Sequence, residues 1–252
     1  MVGLPTGKRV SVCMAAYNGS AFIEEQITSI LAQLGTDDEL IIIDDCSKDD
    51  TVEVVTRIQD PRIRLIRNDS NAGYVRTFDR ALRMATGKYV LLADQDDLWA
   101  DGRVDIMTAA LDSTDVVAGN LEILGEPGRR TPFPLHASQS TRHAQNIAML
   151  LADRRGYWGC AMGVRRDFLA IATPFPAPLV ESHDLWLGIA GNVARSITHL
   201  DATVTYRRVH GDNATPASRR GLVPALRGRL VLVRCLLVAF RRTARARRKQ
   251  LR

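Results

Sequence analysis

The chain has 252 residues, 46% of them hydrophobic, which suits one large domain or a domain with an appendage. No stretch reaches the ~20 apolar residues that span a bilayer, and Met1 to Arg9 lack the apolar core of a secretory leader, so a cytoplasmic protein is expected. The four cysteines (Cys13, Cys46, Cys160, Cys235) form no CxxC pair, which argues for reduced thiols and against a zinc site.

The formal net charge of +6 belongs to a tail. From Asn213 onward there is no acidic residue but twelve of the 34 basic ones, which leaves 22 basic against 28 acidic residues in the body. An acidic body and a tail without interleaved aromatics argue against nucleic acid as a partner.

The spacing predicts a strand over Arg9 to Ala15, a turn at Tyr17-Asn18-Gly19, and a helix over Ser20 to Leu34 with Ile23, Ile27 and Ile30 on one stripe. Leu40 to Ile43 is an unbroken apolar run, as in a parallel strand buried on both faces. Asp50 and Glu53 form a capping-box pattern opening a helix over Thr51 to Ile58. A strand over Ile63 to Ile66, a helix over Tyr74 to Ala85 and a strand over Lys88 to Ala93 follow. This alternation predicts βαβ units and an α/β fold with one mostly parallel sheet.

The second half is less regular. It offers a helix over Val104 to Leu111, one or two strands within Asp115 to Leu124, and a Gly-, Pro- and Arg-rich loop over Gly125 to His136. A helix over Thr141 to Ala152, a strand over Gly159 to Val164 and an irregular crossing over Thr173 to Pro178 come next. Ser182 to Ala190 suits a helix starting near Asp184, and Ser196 to Arg208 two short strands. Gly221 to Arg252 reads as an amphipathic helix with Leu226, Leu230, Val231, Val233, Leu236, Leu237 and Phe240 on a broad apolar face and arginines crowding its end. Such a helix can lie on an anionic membrane surface, or dock on the body with its basic end solvated. The boundary between body and tail is placed between residues 214 and 215.

The densest chemical signal is Asp94-Gln95-Asp96-Asp97 at the end of a buried-strand pattern. Three carboxylates in four residues repel one another unless a hard cation such as Mg2+ or Mn2+ neutralises them. The carboxyl ends of strands in open α/β sheets are also where ligands bind. The alternative is a solvated turn that caps the next helix. Other strand ends carry Ala15 and Tyr17, the pair Asp44 and Asp45, and the turn Asn71-Ala72-Gly73 before a helix with Arg76. Tyr17 can stack on a base or ribose, the carboxylates can accept from a pyrimidine N–H and ribose hydroxyls, and Arg76 can meet a base or phosphate. Read singly, these are a turn aromatic, a helix cap and a surface arginine. There is no GxGxxG, which excludes the dehydrogenase dinucleotide fingerprint.

Seven ordered segments resemble family 2 glycosyltransferases, and within them the bacterial rhamnosyltransferase-type members. They are Val12…Tyr17-Asn18-Gly19, Ile43-Asp44-Asp45-Cys46-Ser47, Asn71-Ala72-Gly73, Ala93 to Trp99, Trp158 to Met162, His183-Asp184-Leu185-Trp186 and Tyr206 to Asn213. The resemblance spans residues 8 to 214. It implies a GT-A fold and inverting transfer of a sugar, rhamnose among the candidates, from a dTDP- or UDP-sugar to a saccharide or lipid-linked acceptor.

Carried over, it implies nucleotide contacts from Ala15, Tyr17, Asp44, Asp45, Arg76, Asp94 and Gln95. It implies metal contacts from Asp94, Asp96 and His210, and a catalytic base in Asp184. Asp97, Trp158, His183 and Trp186 would meet the acceptor or sugar. Leu185 departs from the family's paired tryptophans. A catalytically silent nucleotide-sugar or saccharide binding module is the alternative.

Overall fold

Every residue of the strand Val10–Ala16 (β1) except Ala15 is buried, and so is all of Glu39–Asp44 (β2). Such strands need cover on both faces. The computed structural model, which describes residues 9–211 and 222–250, supplies it. On one face Val12, Met14, Leu40 and Ile42 pack against Ile23–Leu31 (α1) and Arg103–Leu111 (α4). On the other, Cys13, Ile41 and Ile43 pack with residues of Tyr74–Met84 (α3) and His183–Ala194 (α7).

The remaining elements are Thr51–Arg57 (α2), Ile63–Arg67 (β3), Tyr89–Asp94 (β4), Leu98–Trp99 (β5), Val116–Ile123 (β6), His143–Leu151 (α5), Met162–Arg165 (β7), Leu169–Ala172 (α6), Ile197–Arg207 (β8) and Leu222–Gln250 (α8). The sheet runs β3-β2-β1-β4-β7-β6-β8-β5. β3, β2, β1 and β4 are parallel, β6 and β8 also pair in parallel, and β7 and β5 run against their neighbours. Strand order reverses beside β1, where Ala15 pairs with Asp94, so the crevice at this switch point opens over those two residues.

Several boundaries differ from expectation. α1 begins at Ile23 because Phe22 and Ile23 both turn back to the Gly19 carbonyl. The Asp50 side chain makes no cap bond; Asp49 takes the Thr51 N–H instead. One 11-residue strand, β8, replaces two short ones, and a register irregularity against β6 between Ala118 and Leu121 marks where the sequence pattern breaks. β7 starts only at Met162, after a single helical turn over Gly159–Ala161.

α8 packs one side on the body: Leu232, Cys235 and Ala239 join the core beside α7. The broad apolar face is thereby split, because Leu230, Val233, Leu237 and Phe240 are exposed. The chain start, Asp212-Asn213, the boundary at residues 214 and 215, the Leu226 side chain and the last two residues lie outside what is described.

Candidate active site

The loops after β1 and β2 are stitched together by side chains. Asn18 N–H donates to Ser47 Oγ (2.9 Å), Gly19 N–H to Thr51 Oγ1 (2.8 Å), Ser20 N–H to Asp49 Oδ2 (3.0 Å) and Lys48 N–H to Asn18 Oδ1 (2.9 Å). These bonds satisfy backbone donors that no strand or helix reaches. They also fix one wall of a cleft of about 710 Å3.

Ala15, Tyr17, Asp45, Asp94, Gln95, Asp96, Asp97, Trp158, His183 and Asp184 all line that cleft, and Tyr17 is exposed toward solvent. Asp45 sits at the wall with Oδ1 accepting from Asn68 Nδ2 (2.6 Å) and Ala72 N–H (2.8 Å), and Oδ2 from Gly73 N–H (2.8 Å). It therefore ties the Asn71-Ala72-Gly73 turn to β2.

The acidic loop forms the floor. Burial and the charges of Asp97, Asp96 and Asp184 push the Asp94 carboxyl well above the usual range. Asp97, 2% exposed, is pushed up to about 6 by burial and then by Asp96. Asp97 Oδ1 accepts the Arg208 N–H (3.1 Å), and its side chain bonds the Cys160 thiol. These two bonds fix the Asp97 carboxylate on the floor of the cleft. The helix-cap alternative falls, because β5 follows and Gly102 precedes α4. Asp96 Oδ2 lies 2.8 Å from His210 Nε2, and the His210 ring leans on Phe22 at 4.8 Å.

Asp184 stands in the first turn of α7, where the helix dipole favours a carboxylate. Leu185 N–H donates to its Oδ1 (2.8 Å), and the Gly159 backbone bonds it too, yet burial holds its pKa up at about 6. The segment delivering it is held by α3. Arg76 donates to the carbonyls of Phe175 (3.3 Å), Pro176 (3.3 Å) and Ala177 (2.7 Å), Asp79 accepts the Phe175 N–H, and Tyr74 Oη accepts the Ser182 N–H (2.9 Å). His183 is buried in an aromatic box, stacked on Phe78 at 4.3 Å with Tyr74 edge-on, and burial lowers its pKa to about 3. Gly159 is required there, because a Cβ would overlap the His183 ring.

Asp44, Arg76 and Trp186 lie away from the cleft and are corrected, while Gln95 stays on it with its amide engaged. Asp44 is fully buried behind the cleft wall, bonded by Ser47 N–H and paired with Arg67 (3.3 Å). Arg76 is the clamp just described. Gln95 lines the cleft, but its amide is engaged by the Tyr17 backbone at both ends. Trp186 is fully buried in the core, where its indole N–H bonds the Ala172 carbonyl (2.9 Å) and Arg242 covers its ring. Among the lining residues that the sequence reading assigned no role are Arg207, stacked over the half-buried Trp158 at 4.8 Å, Tyr157 and Arg155. Nothing in the local pattern separates them from surface residues.

The donor set suits a divalent cation. Oxygens of Asp94 and Asp97 and the Cys160 sulfur lie within 4.8 Å of one another, and burial, with the neighbouring carboxylates, raises both carboxyl pKa values, a burden that a cation would relieve. Carboxylates match Mg2+ or Mn2+; the Cys160 thiol, bonded to Asp97, matches neither.

The fold agrees with the comparisons. The sequence pattern of glycosyl transferase family 2 matches residues 11–170, and the chain belongs to that family. WfgD of Escherichia coli, named a UDP-Glc:alpha-D-GlcNAc-diphosphoundecaprenol beta-1,3-glucosyltransferase, is 27% identical over 71% of this chain and 69% of its own. The succinoglycan biosynthesis protein ExoO of Rhizobium meliloti is 34% identical over 48% of this chain. The chain spans 35% of ExoO and 66% of an uncharacterized Nostoc glycosyltransferase that it also matches. Among solved structures, S. aureus TarS 1-349 in complex with UDP-GlcNAc superposes with a TM-score of 0.67 at 20% identity, covering 89% of this chain and 66% of that one. The fold is the GT-A arrangement of such enzymes.

Proposed function

We propose that the protein transfers a sugar, with inversion, from a nucleoside diphosphate donor to a hydroxyl of a saccharide or lipid-linked saccharide during cell-surface polysaccharide synthesis. The observation that carries this is the Asp184 carboxylate, with a pKa near 6, facing the same cleft as the acidic end of β4. The stitched β1–β2 wall with Tyr17 suits the nucleoside, and Arg207 beside the acidic floor suits the diphosphate. Asp94, Asp96 and His210 would hold Mn2+ or Mg2+. When bound, that ion supplies Lewis-acid stabilisation to the leaving diphosphate. Asp184 takes the proton of the attacking acceptor hydroxyl as its oxygen bonds the anomeric carbon from the face opposite the leaving group. Trp158 and His183 border the acceptor. The donor is a dTDP- or UDP-sugar, with rhamnose among the sugars to be tried.

The test is a panel of dTDP- and UDP-sugars with and without Mn2+, read first by thermal stabilisation and then by transfer or donor hydrolysis. Asp184→Asn is expected to retain donor binding and lose transfer by at least about 100-fold; comparable activity would overturn the base. Asp96→Ala with normal metal-dependent binding would overturn the metal role. Binding without turnover in the parent would favour the silent-module reading.

The outer face of α8 supports peripheral contact with an anionic membrane. Leu230, Val233, Leu237 and Phe240 recur at helical spacing and stay exposed, bordered by the exposed Arg234 and Arg241, and α8 has no acidic residue. A second copy on this stripe would bring rows of arginine together, whereas anionic headgroups complement them. Among the described residues no helix is long and apolar enough to cross a membrane.

A further inference from the structure

Among the described residues two cations line the cleft, and they differ in what balances them. Arg207 interacts with Asp94 and Asp97. Arg155 is 6% exposed and makes no ion pair among the described residues. One terminal nitrogen donates to Gln139 Oε1 (2.7 Å) and touches Met149 Sδ (3.7 Å), while Nε has no partner. Its charge is felt by Tyr157 and His199, neither of them a carboxylate.

The other buried arginine among the described residues, Arg103, also has an unpartnered Nε but differs in the rest of its surroundings. It is bonded to the Leu92 and Val204 carbonyls and to Thr205, stacked on Trp99, and sits within the field of Asp94 and Asp97. A buried guanidinium without a carboxylate or a full set of bonds costs stability. An oxyanion in the cleft would supply both.

Its place in the cleft identifies that ligand's owner. The acidic floor, where the donor diphosphate belongs, does not include Arg155 among its partners. Gly159, four residues along the chain, bonds the carboxylate of Asp184, so the Cα atoms of Arg155 and Gly159 are at most ~14 Å apart. One acceptor molecule can reach both groups. Asp153, two residues before Arg155 and also on the cleft wall, pairs with Arg229 of α8 at 3.5 Å. The loop carrying Arg155 is therefore joined to the basic helix.

We propose that Arg155 forms an oxyanion subsite on the acceptor side of the cleft, so that the acceptor carries a phosphate or carboxylate group beside the sugar that is extended. This rests on the glycosyltransferase reading of the same cleft. The anion meets the Arg155 guanidinium where it lines the cleft, Asp184 meets the acceptor hydroxyl, and Arg207 and the acidic floor remain for the donor.

The experiment fills the donor site with UDP and Mg2+, then titrates inorganic phosphate, and separately acetate, at constant ionic strength, reading thermal stabilisation. The parent should show saturable stabilisation by at least one anion, phosphate preference indicating a phosphorylated acceptor and acetate preference an acidic sugar. Arg155→Gln should weaken that binding at least about tenfold, the scale of a lost charge-assisted hydrogen bond, with UDP binding unchanged. Arg155→Lys, which keeps the charge but loses the planar fork, should fall between. No saturable anion effect in the UDP-bound parent, or equal affinity in Arg155→Gln, overturns the subsite. If Arg155→Gln does not bind UDP, Arg155→Lys decides, and parental anion affinity in it counts against the subsite. A parent that ignores UDP but binds phosphate in an Arg155-dependent way sinks the donor reading instead, so the two failures are distinguishable.

Discussion

Gln95 and Tyr17 are joined twice: Tyr17 N–H donates to Gln95 Oε1 at 2.8 Å, and Gln95 Nε2 donates to the Tyr17 carbonyl at 2.9 Å. The acidic loop and the proposed nucleoside wall are thus one unit, closed further by Gln26 Nε2 donating to the Asp94 carbonyl (2.8 Å). Gly19 permits the approach, since a Cβ there would overlap the Gln95 amide. Gln95→Ala removes two bonds of about 1 kcal/mol each. UDP affinity measured calorimetrically should fall about tenfold, with a lowered Tm. Unchanged affinity would mean that Tyr17 does not contribute to nucleotide binding.

That pair shows what the sequence could and could not convey. The position of Gln95 was legible because a carboxylate-rich turn after a buried strand marks a ligand edge; its partner was not, because Tyr17 lies 78 residues away. The alternation of helices with buried runs gave β1 to β4 and their helices. β5 was invisible, having two residues and existing only through pairing with β8. For Trp186 the physics was available in the sequence. At about 100° per residue, Asp184 and Trp186 point some 200° apart on one helix, so both cannot face one cleft. Asp184 faces it, and Trp186 is in the core.

This division predicts different outcomes for the two tryptophans. Trp186→Ala should cost about 3–5 kcal/mol of stability, seen as a lower denaturation midpoint. Trp158 is half-buried at the cleft, so Trp158→Ala should move the acceptor KM more than the denaturation midpoint. The reverse ranking in urea denaturation would contradict the placement of both rings.

The raised pKa of Asp184 makes stability depend on pH. In the folded protein it titrates near 6, against 3.8 for the free group. Between these values the folded state holds a proton that the unfolded state has lost, so this contribution to stability falls as pH rises from about 4 to 6 and stays low above. Asp184→Asn lacks the penalty and should be more stable than the parent by about 3 kcal/mol at pH 7.5, with the difference gone near pH 4. Transfer activity should run the other way, falling as pH drops below about 6 and the base is protonated. Thermal melts of both proteins over pH 4 to 8 check the first, and a pH–rate profile of the parent checks the second. Equal Tm at pH 7.5 would show that burial does not burden this carboxylate.

The split face of α8 yields a separate prediction, because only one side of it holds the fold. Leu232, Cys235 and Ala239 are in the core, while Leu237 and Phe240 are more than half exposed. Replacing the latter two by serine removes apolar surface that the folded body does not use, so the Tm should stay within about 2 °C of the parent. If the outer stripe lies in an anionic interface, the same double variant should bind phosphatidylglycerol vesicles about tenfold more weakly in a sedimentation assay, the scale of one side chain's burial. Parental binding should also weaken as salt is raised, since the arginines flanking the stripe act through screened charge. Vesicle binding that survives the double substitution but not added salt would leave the arginines as the whole attachment and remove the apolar stripe from the account.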